Sequence, residues 1–530
     1  MENDNPVLWA SSKWFIARRE DIEVLRNFRN MEDWIISFRH CWIDEHTPVD
    51  SIDWESGRVE FKYASRFSIS MQVDHRMLHY FIENVGECFK NPGEWYYDRE
   101  TKKLYYIPED DEKQTITGYI PVTDKLICVR GSADCRAHGV HIRGFDMAYT
   151  KGEYRSAEEN RAYPKFNDVG YAGDKQSVCD AHGSVEFEYA HNCSLEDCRL
   201  WCLGVHGIVV RNGSERIRIR RCDLSQLGAG AISVNGGAYG SDESEHTRRI
   251  EIADNRIDHC GNRYSAACGI LIRHAYENTV EHNDISWVYY TGISCGWVWG
   301  YADSICRDNT IEKNHIHDIG QGVLSDMGGI YLLGKQPGTV VRGNLIHDIK
   351  SAHYGGWALY TDEGSSYITL EDNVCYNTSD NSYHQHYGNM NTVRNNIFAF
   401  SGMAPVSVSR VEMHPGIIAE RNIVVVEPGQ AAFAVGPRNE GGFNGAGHIL
   451  PSSENIIFDP TGAEIAAVKA FDKAYTLEEM GSLLRMDIDS VAADPGFADL
   501  DNRDFTMSED SPACEKGFKR IDLSDVGARR

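Results

Sequence analysis

The chain has 530 residues, 42% of them hydrophobic and 25% charged, with a formal net charge of −26. That charge argues against nucleic-acid or anionic-membrane binding, since most of the surface repels a polyanion, and no run reaches the roughly 20 apolar residues of a membrane-crossing helix. A neutral partner, an oligo- or polysaccharide, better suits an acidic surface with 11% aromatic residues.

The opening MENDNPVLWASSKW lacks a basic segment followed by an apolar one, so it does not read as a secretory signal. The 15 cysteines, an odd number, favour a reducing, cytoplasmic compartment, with secretion open only to a chain that has lost a leader. The densest group, Cys193, Cys198 and Cys202, has no CxxC pair and reads as packing rather than as a zinc site. Neither a metal nor a cofactor is expected.

Residues 1–115 read as a β-rich, sandwich-like module. IEVLRNFRN, DWIISFRHCWID and GRVEFKYASRFSISM read as strands, although their apolar spacing also allows short helices. NPGEWYYDRETKKLYYIP is a hairpin, with aromatic strands on either side of a charged turn over Asp98–Lys103.

Residues 116–440 repeat. Asn255, Asn283, Asn314, Asn344, Asn373, Asn396 and Asn422 each follow and precede short apolar runs, at steps of 28, 31, 30, 29, 23 and 26. Cys198 and Cys222 hold the place in two earlier copies. A period near 30 with β-branched rather than helical patterning means a β-solenoid, right-handed by the crossover rule. The fold class is therefore all-β, a right-handed parallel β-helix whose stacked asparagines form an amide ladder. Residues 441–530 read as last coils and a cap: GHILPSSENIIFD as a strand pair, EIAAVKAFDKAYTLEEMGSLLRM as helical, and DPGFADLDNRDFTM as short strands closing the open end.

Counting eleven residues back from each asparagine gives a vertical row: Ile272, Leu333, Asp362, Gln385 and Val411. Beside it lie Arg273, Gly334, Glu363, His386 and Glu412 on one side, and Leu271, Leu332, Thr361, His384 and Arg410 on the other. Apolar ladders thus give way to carboxylates over histidines, with Trp357, Tyr360, Tyr331, Tyr383 and Tyr387 around them. Carboxylates beside aromatic platforms suit a sugar ring. Glycoside hydrolysis needs two carboxyls, and Asp326 in SDMGGIY is the second. It stands about seven positions from the Asp362 column, so the pair requires a sharp turn within Ser325–Gly329, for which Gly328 and Gly329 are suited. Glu363 and Glu412 are reserves; His317-Asp318 and His347-Asp348, in a repeated IHDI, read as turn residues.

DMGGIYLLGKQPGT, YGGWALYTDEGSS, HQHYG, the aromatic hairpin and the tail DPGFADLDNRDFTM together resemble right-handed parallel β-helix glycoside hydrolases, nearest family 141 and more distantly family 120. The resemblance implies α-L-fucosidase or xylan-directed activity and a catalytic aspartate pair, carried here onto Asp326 and Asp362 with Glu363 in reserve. The rows and the aromatics around them make His384, His386, Trp357, Tyr360, Tyr331, Glu412 and Arg273 the candidates for substrate binding. Members of that family usually place coils ahead of the β-rich segment, and this chain begins within it.

Overall fold

A computed structural model describes residues 11–69, 79–110, 116–152, 172–436, 450–462, 466–470 and 473–529. They fall into two compact units, one drawn from Met1–Val122 and Glu153–Ala181, the other from Thr123–Gly152 and His182–Arg530. The boundaries read at 115 and 440 fall at residues outside the described set.

In the first unit five strands form one antiparallel sheet, in the order Trp14–Ile16, Arg58–Phe61, Asp44–Asp53, Ile35–Arg39, His79–Glu83. Its core gathers Phe15, Trp34, Ile36, Phe38 and Val59, all fully buried. The hairpin forms as expected, Trp95–Asp98 against Lys103–Tyr106, with Trp95 opposite Tyr106. Two readings change. IEVLRNFRN is not a strand: Arg19–Glu23 is a helix that buries only Ile22. Among the described residues the module is one sheet and a separate hairpin rather than two facing sheets.

The second unit is three parallel stacks of 11, 12 and 13 strands. Each full coil supplies one strand to each; Ile270–Ile272, Thr279–Glu281 and Asp284–Val288 make one such coil. Inside, like stacks on like: Ile285, Ile316 and Ile346 form one column, each fully buried and each contributing about 1.5–3 kcal/mol of hydrophobic stabilisation.

The ladder stands at the turn between the 11- and 12-stranded stacks. The side-chain oxygen of Asn314 accepts both the main-chain N–H of Asn283, at 3.0 Å, and its side-chain amide, at 2.9 Å. The pattern repeats through Asn344, Asn373, Asn396 and Asn422. Asn455, a rung absent from the sequence reading, extends it. At the other end the Cys222 N–H donates to Asn255, and Cys198 lies against Cys222 as the repeat predicts. Cys193 and Cys198 are buried and Cys202 is exposed. The residue before each rung is left-handed, from Asp254 (φ 57°) and His282 (φ 51°) to Arg421 (φ 53°).

The C-terminal segment divides differently from its reading. The described residues of EIAAVKAFDKAY are not helical; Ala466–Ala470 and Lys473–Tyr475 form an antiparallel pair that ends the 13-stranded stack. A short helix, Leu477–Glu479, follows behind a Thr476 capping box. The tail expected to close the end runs back along the flank instead. Phe505, Met507 and Phe518 pack on the outer residues Val374, Ile397, Ile423 and Ile456, Lys519 bonds Asn395, Asp525 pairs with Lys313, and Arg529 clamps Asp254.

The ladder predicts its own test. Asn344→Ala leaves the Asn314 N–H and the Ile311 carbonyl without their buried partners, each costing about 1–3 kcal/mol. The variant is expected to lose roughly 3 kcal/mol or more of stability in urea unfolding. Loss of under about 1 kcal/mol would show that the rung is not needed.

Candidate active site

The site is built on the 13-stranded stack, where Met327–Leu332, Gly356–Thr361 and Tyr383–Gln385 lie side by side. Tyr331 pairs with Tyr360, Tyr360 with His384, and His384 with Ser407, one column across four coils. The column is aromatic and tightly packed. Tyr331 and Tyr360 meet edge to face at 5.0 Å, and Trp357 stacks flat on His384 at 4.2 Å. Trp357 donates its indole N–H to Asn381, and His384 Nδ1 meets Ser407 Oγ at 2.6 Å. Burial pushes the His384 imidazole down to about 3, so it is neutral at working pH and serves as a flat platform.

Asp326 lies just ahead of Met327–Leu332, and Asp362 just beyond Gly356–Thr361. Tyr360 stands near both, and its hydroxyl favours the ionised form of each carboxylate. Tyr354 donates to Asp326 Oδ2 at 3.0 Å and Tyr331 to Asp362 Oδ2 at 2.6 Å. Burial first, and the charge of Asp362 second, push Asp326 up to about 7. Burial also raises Asp362, against the Tyr331 hydroxyl and the charge of His386, which pull it down. Two carboxyls that disfavour each other's ionisation are held in one tyrosine-lined site.

The required turn exists, but not at the glycines. Asp326 itself is left-handed (φ 57°), a conformation aspartate adopts more readily than most residues. Gly328 and Gly329 lie inside the strand and serve close approach. A Cβ on Gly329 would stand 2.4 Å from Ile346, and one on Gly328 would stand 3.2 Å from the Tyr360 Cβ.

The observed column also corrects the row. It runs Ile272, Cys295, Leu332, Thr361, Gln385, Val408, so Leu333 and Asp362 were placed one residue late, Val411 three late, and the Cys295 coil was missed. A long loop after Gly296 separates that coil's strand from its asparagine, and a count taken back from the asparagine crosses it. The loop returns to the site: a Cβ on Gly364 (φ 73°) would stand 2.0 Å from the Gly300 carbonyl.

The remaining expected residues scatter. Glu363 takes a 2.9 Å bond from the Tyr387 hydroxyl and adds its charge at Asp326. His386, half-buried, holds Ser409 at 3.0 Å and faces Asp362. Glu412 is not with the pair: it takes the Tyr301 hydroxyl bond and lies 3.4 Å from His414. Tyr301 packs on Tyr387, so Glu412 stands on a rim that leads back to Glu363. Arg273 is also remote, three strands away in the stack with its guanidinium over Trp297. Tyr383 faces the core, bonded to Thr361. Sequence reasoning missed Tyr354, Tyr301, His414 and the Trp297–Trp299 pair. All of them sit in loops outside the strand columns; a Trp-x-Trp next to a long insertion was the available signal.

The sequence model of the right handed beta helix region matches residues 183–362 and 242–412. No curated protein matches the chain in sequence. Among solved structures, one titled "Glycoside hydrolase" is similar with a TM-score of 0.60 and 21% identity, over 74% of this chain and 73% of that one. XylC in complex with xylose aligns with a TM-score of 0.42 and 12% identity, over 78% and 66% of the chains. AlyGC, an alginate lyase of family PL6, aligns with a TM-score of 0.40 and 10% identity, over 74% and 55%. At these identities the likeness speaks for the fold: the chain is an all-β, right-handed parallel β-helix.

Proposed function

We propose that the chain is a glycoside hydrolase acting on plant-type glycans, with α-L-fucosidase or xylan-directed activity foremost. The observation that carries this is the Asp326–Asp362 pair around Tyr360, with Asp326 pushed up to about 7. A carboxyl that keeps its proton near neutrality suits protonation of a leaving oxygen, and a second that ionises first suits attack or water activation. The two aspartates thus divide between them the roles of acid and of nucleophile or base. Tyr331 steadies Asp362, and Trp357, Tyr360 and neutral His384 offer apolar faces to a sugar ring. His386 and Glu363 stand beside Asp362 to take hydroxyl bonds.

Hydrolysis of a nitrophenyl glycoside panel and xylan oligomers tests the reading. Asp326→Asn and Asp362→Asn, with folding checked by circular dichroism, are each expected to cut kcat/KM at least about 100-fold. An ultraviolet-absorbing unsaturated product would instead mean a lyase, and binding without turnover a carbohydrate-binding protein.

The raised acid also predicts a pH dependence. Unfolded, Asp326 ionises near pH 4; folded, it holds its proton to about 7. Between those values the folded state binds more protons than the unfolded one, so this group's stability contribution falls as pH rises. Asp326→Asn is expected to melt above the wild type at pH 8, with the gap shrinking toward pH 4. A variant that melts lower at pH 8 and equally so at pH 4 would contradict a buried, destabilising charge.

A further inference from the structure

A second cluster lies on the outer face of the 12-stranded stack, apart from the carboxylate pair. We propose that Asp284, His315 and His317 form a binding site for a late first-row divalent cation, Zn²⁺ foremost. Asp284 and His315 are register partners on adjacent coils. His317 follows His315 by two residues on the same strand, so both rings leave the same face, while Ile316 between them is buried in the core. His347, on the next coil, pairs with His317.

The hydrogen-bond chain decides which ring nitrogens carry protons. His347 Nδ1 stands 2.6 Å from Asp348 Oδ2, so it donates there and its Nε2 is an acceptor. His315 Nε2, 2.9 Å from that Nε2, must then be the donor, which leaves His315 Nδ1 as a bare lone pair. His317 Nδ1 stands 2.9 Å from Asp318 Oδ2 and donates to it, which in the neutral ring leaves His317 Nε2 bare as well. These two lone pairs face one carboxylate: Asp284 Oδ2 is 3.4 Å from His315 Nδ1, and Asp284 Oδ1 is 3.4 Å from His317 Nε2. With neutral rings, acceptors face acceptors and a cation is wanted between them. A carboxylate or Asp–His bond behind each imidazole is also the outer-shell pattern of metal-bound histidine.

The distances fit. At 3.4 Å the contacts are longer than the usual 2.9–3.0 Å hydrogen bond. Each is near the roughly 3.3 Å edge of a tetrahedron whose metal–ligand bonds are about 2.0–2.1 Å, but each nitrogen faces a different oxygen, so the Asp284 carboxylate turns or chelates to serve one ion. The donor atoms all lie within 4.8 Å of one another. The rings of His315 and His317 are inclined by 27°, so converging both lone pairs on one ion takes a modest further rotation about their side-chain bonds. The side chains of Asp284, His315 and His317 are 36%, 26% and 21% exposed, which leaves room for a water as fourth ligand. Two imidazoles and one carboxylate suit zinc, cobalt or nickel and not the oxygen-seeking calcium or magnesium. The C-terminal tail passes over the cluster: a Cβ on Gly527 would stand 3.2 Å from His315 Cβ and 3.8 Å from Asp284 Oδ2. A bound ion therefore ties two coils together directly under the tail.

The test uses the full chain stripped with EDTA and titrated with Co²⁺, then Zn²⁺, with Mg²⁺ and Ca²⁺ as controls. The expected result is one Co²⁺ site with visible bands of a nitrogen–oxygen tetrahedron and no thiolate charge-transfer band, displaced by Zn²⁺, with a melting temperature raised by several degrees. His317→Ala and the gentler Asp284→Asn are each expected to weaken that site at least about 100-fold, and Asp348→Asn, which acts only through tautomer choice, about tenfold. Absence of a nitrogen–oxygen Co²⁺ site in the wild type, binding unchanged in Asp284→Asn, or a thiolate band accounting for all bound metal would each overturn the proposal.

Discussion

The structure depends on satisfying one buried polar position per coil. At the turn between the 11- and 12-stranded stacks the chain passes through a left-handed residue and then an inward asparagine. That backbone shape is costly for residues such as Lys313 or Arg421. It persists because the asparagine below offers one oxygen to two donors at 2.9–3.0 Å. The geometry closes only at strand spacing, so the ladder fixes the pitch. Loop length is then free to vary: consecutive rungs lie 23 to 33 residues apart with the same bonding.

That freedom is what the candidate site uses. The strand column supplies a rigid aromatic wall, Tyr331, Tyr360 and His384, and segments flanking the strands supply the carboxyls and the rim. Burial raises Asp326 and Asp362 together. Tyrosine hydroxyls, and for Asp362 the charge of His386 as well, act the other way and favour the ionised forms.

Legibility in the sequence follows the same division. The solenoid could be read because a single residue type recurs at the one position where backbone bonding demands it; even the substitution of Cys198 and Cys222 followed the pattern. The pairing of Asp326 with Asp362 was reachable only as a condition, since the turn it needs is made by aspartate's own left-handed geometry and not by the glycines beside it. Glu412 was misplaced because a fixed count from the ladder crosses loops of unequal length, whereas Arg273 was counted in register but stands three coils from Asp362. Inward and outward tyrosines could not be told apart, so Tyr383 was grouped with Tyr360 although it faces the core. The IHDI repeat read as turn chemistry, because its meaning depends on Asp284, which sits on another coil.

The C-terminal tail changes how such a molecule comes apart. A solenoid in which each coil touches only its neighbours unravels from its ends, one unit at a time. Here a single segment bonds successively to Asn395, Lys313 and Asp254 and packs across Val374, Ile397, Ile423 and Ile456. It ties together coils that are not neighbours in the stack, so fraying of one is resisted by the others that the segment touches. Its binding surface exists only where those coils are stacked in register, so a slipped coil would misplace one of the anchors.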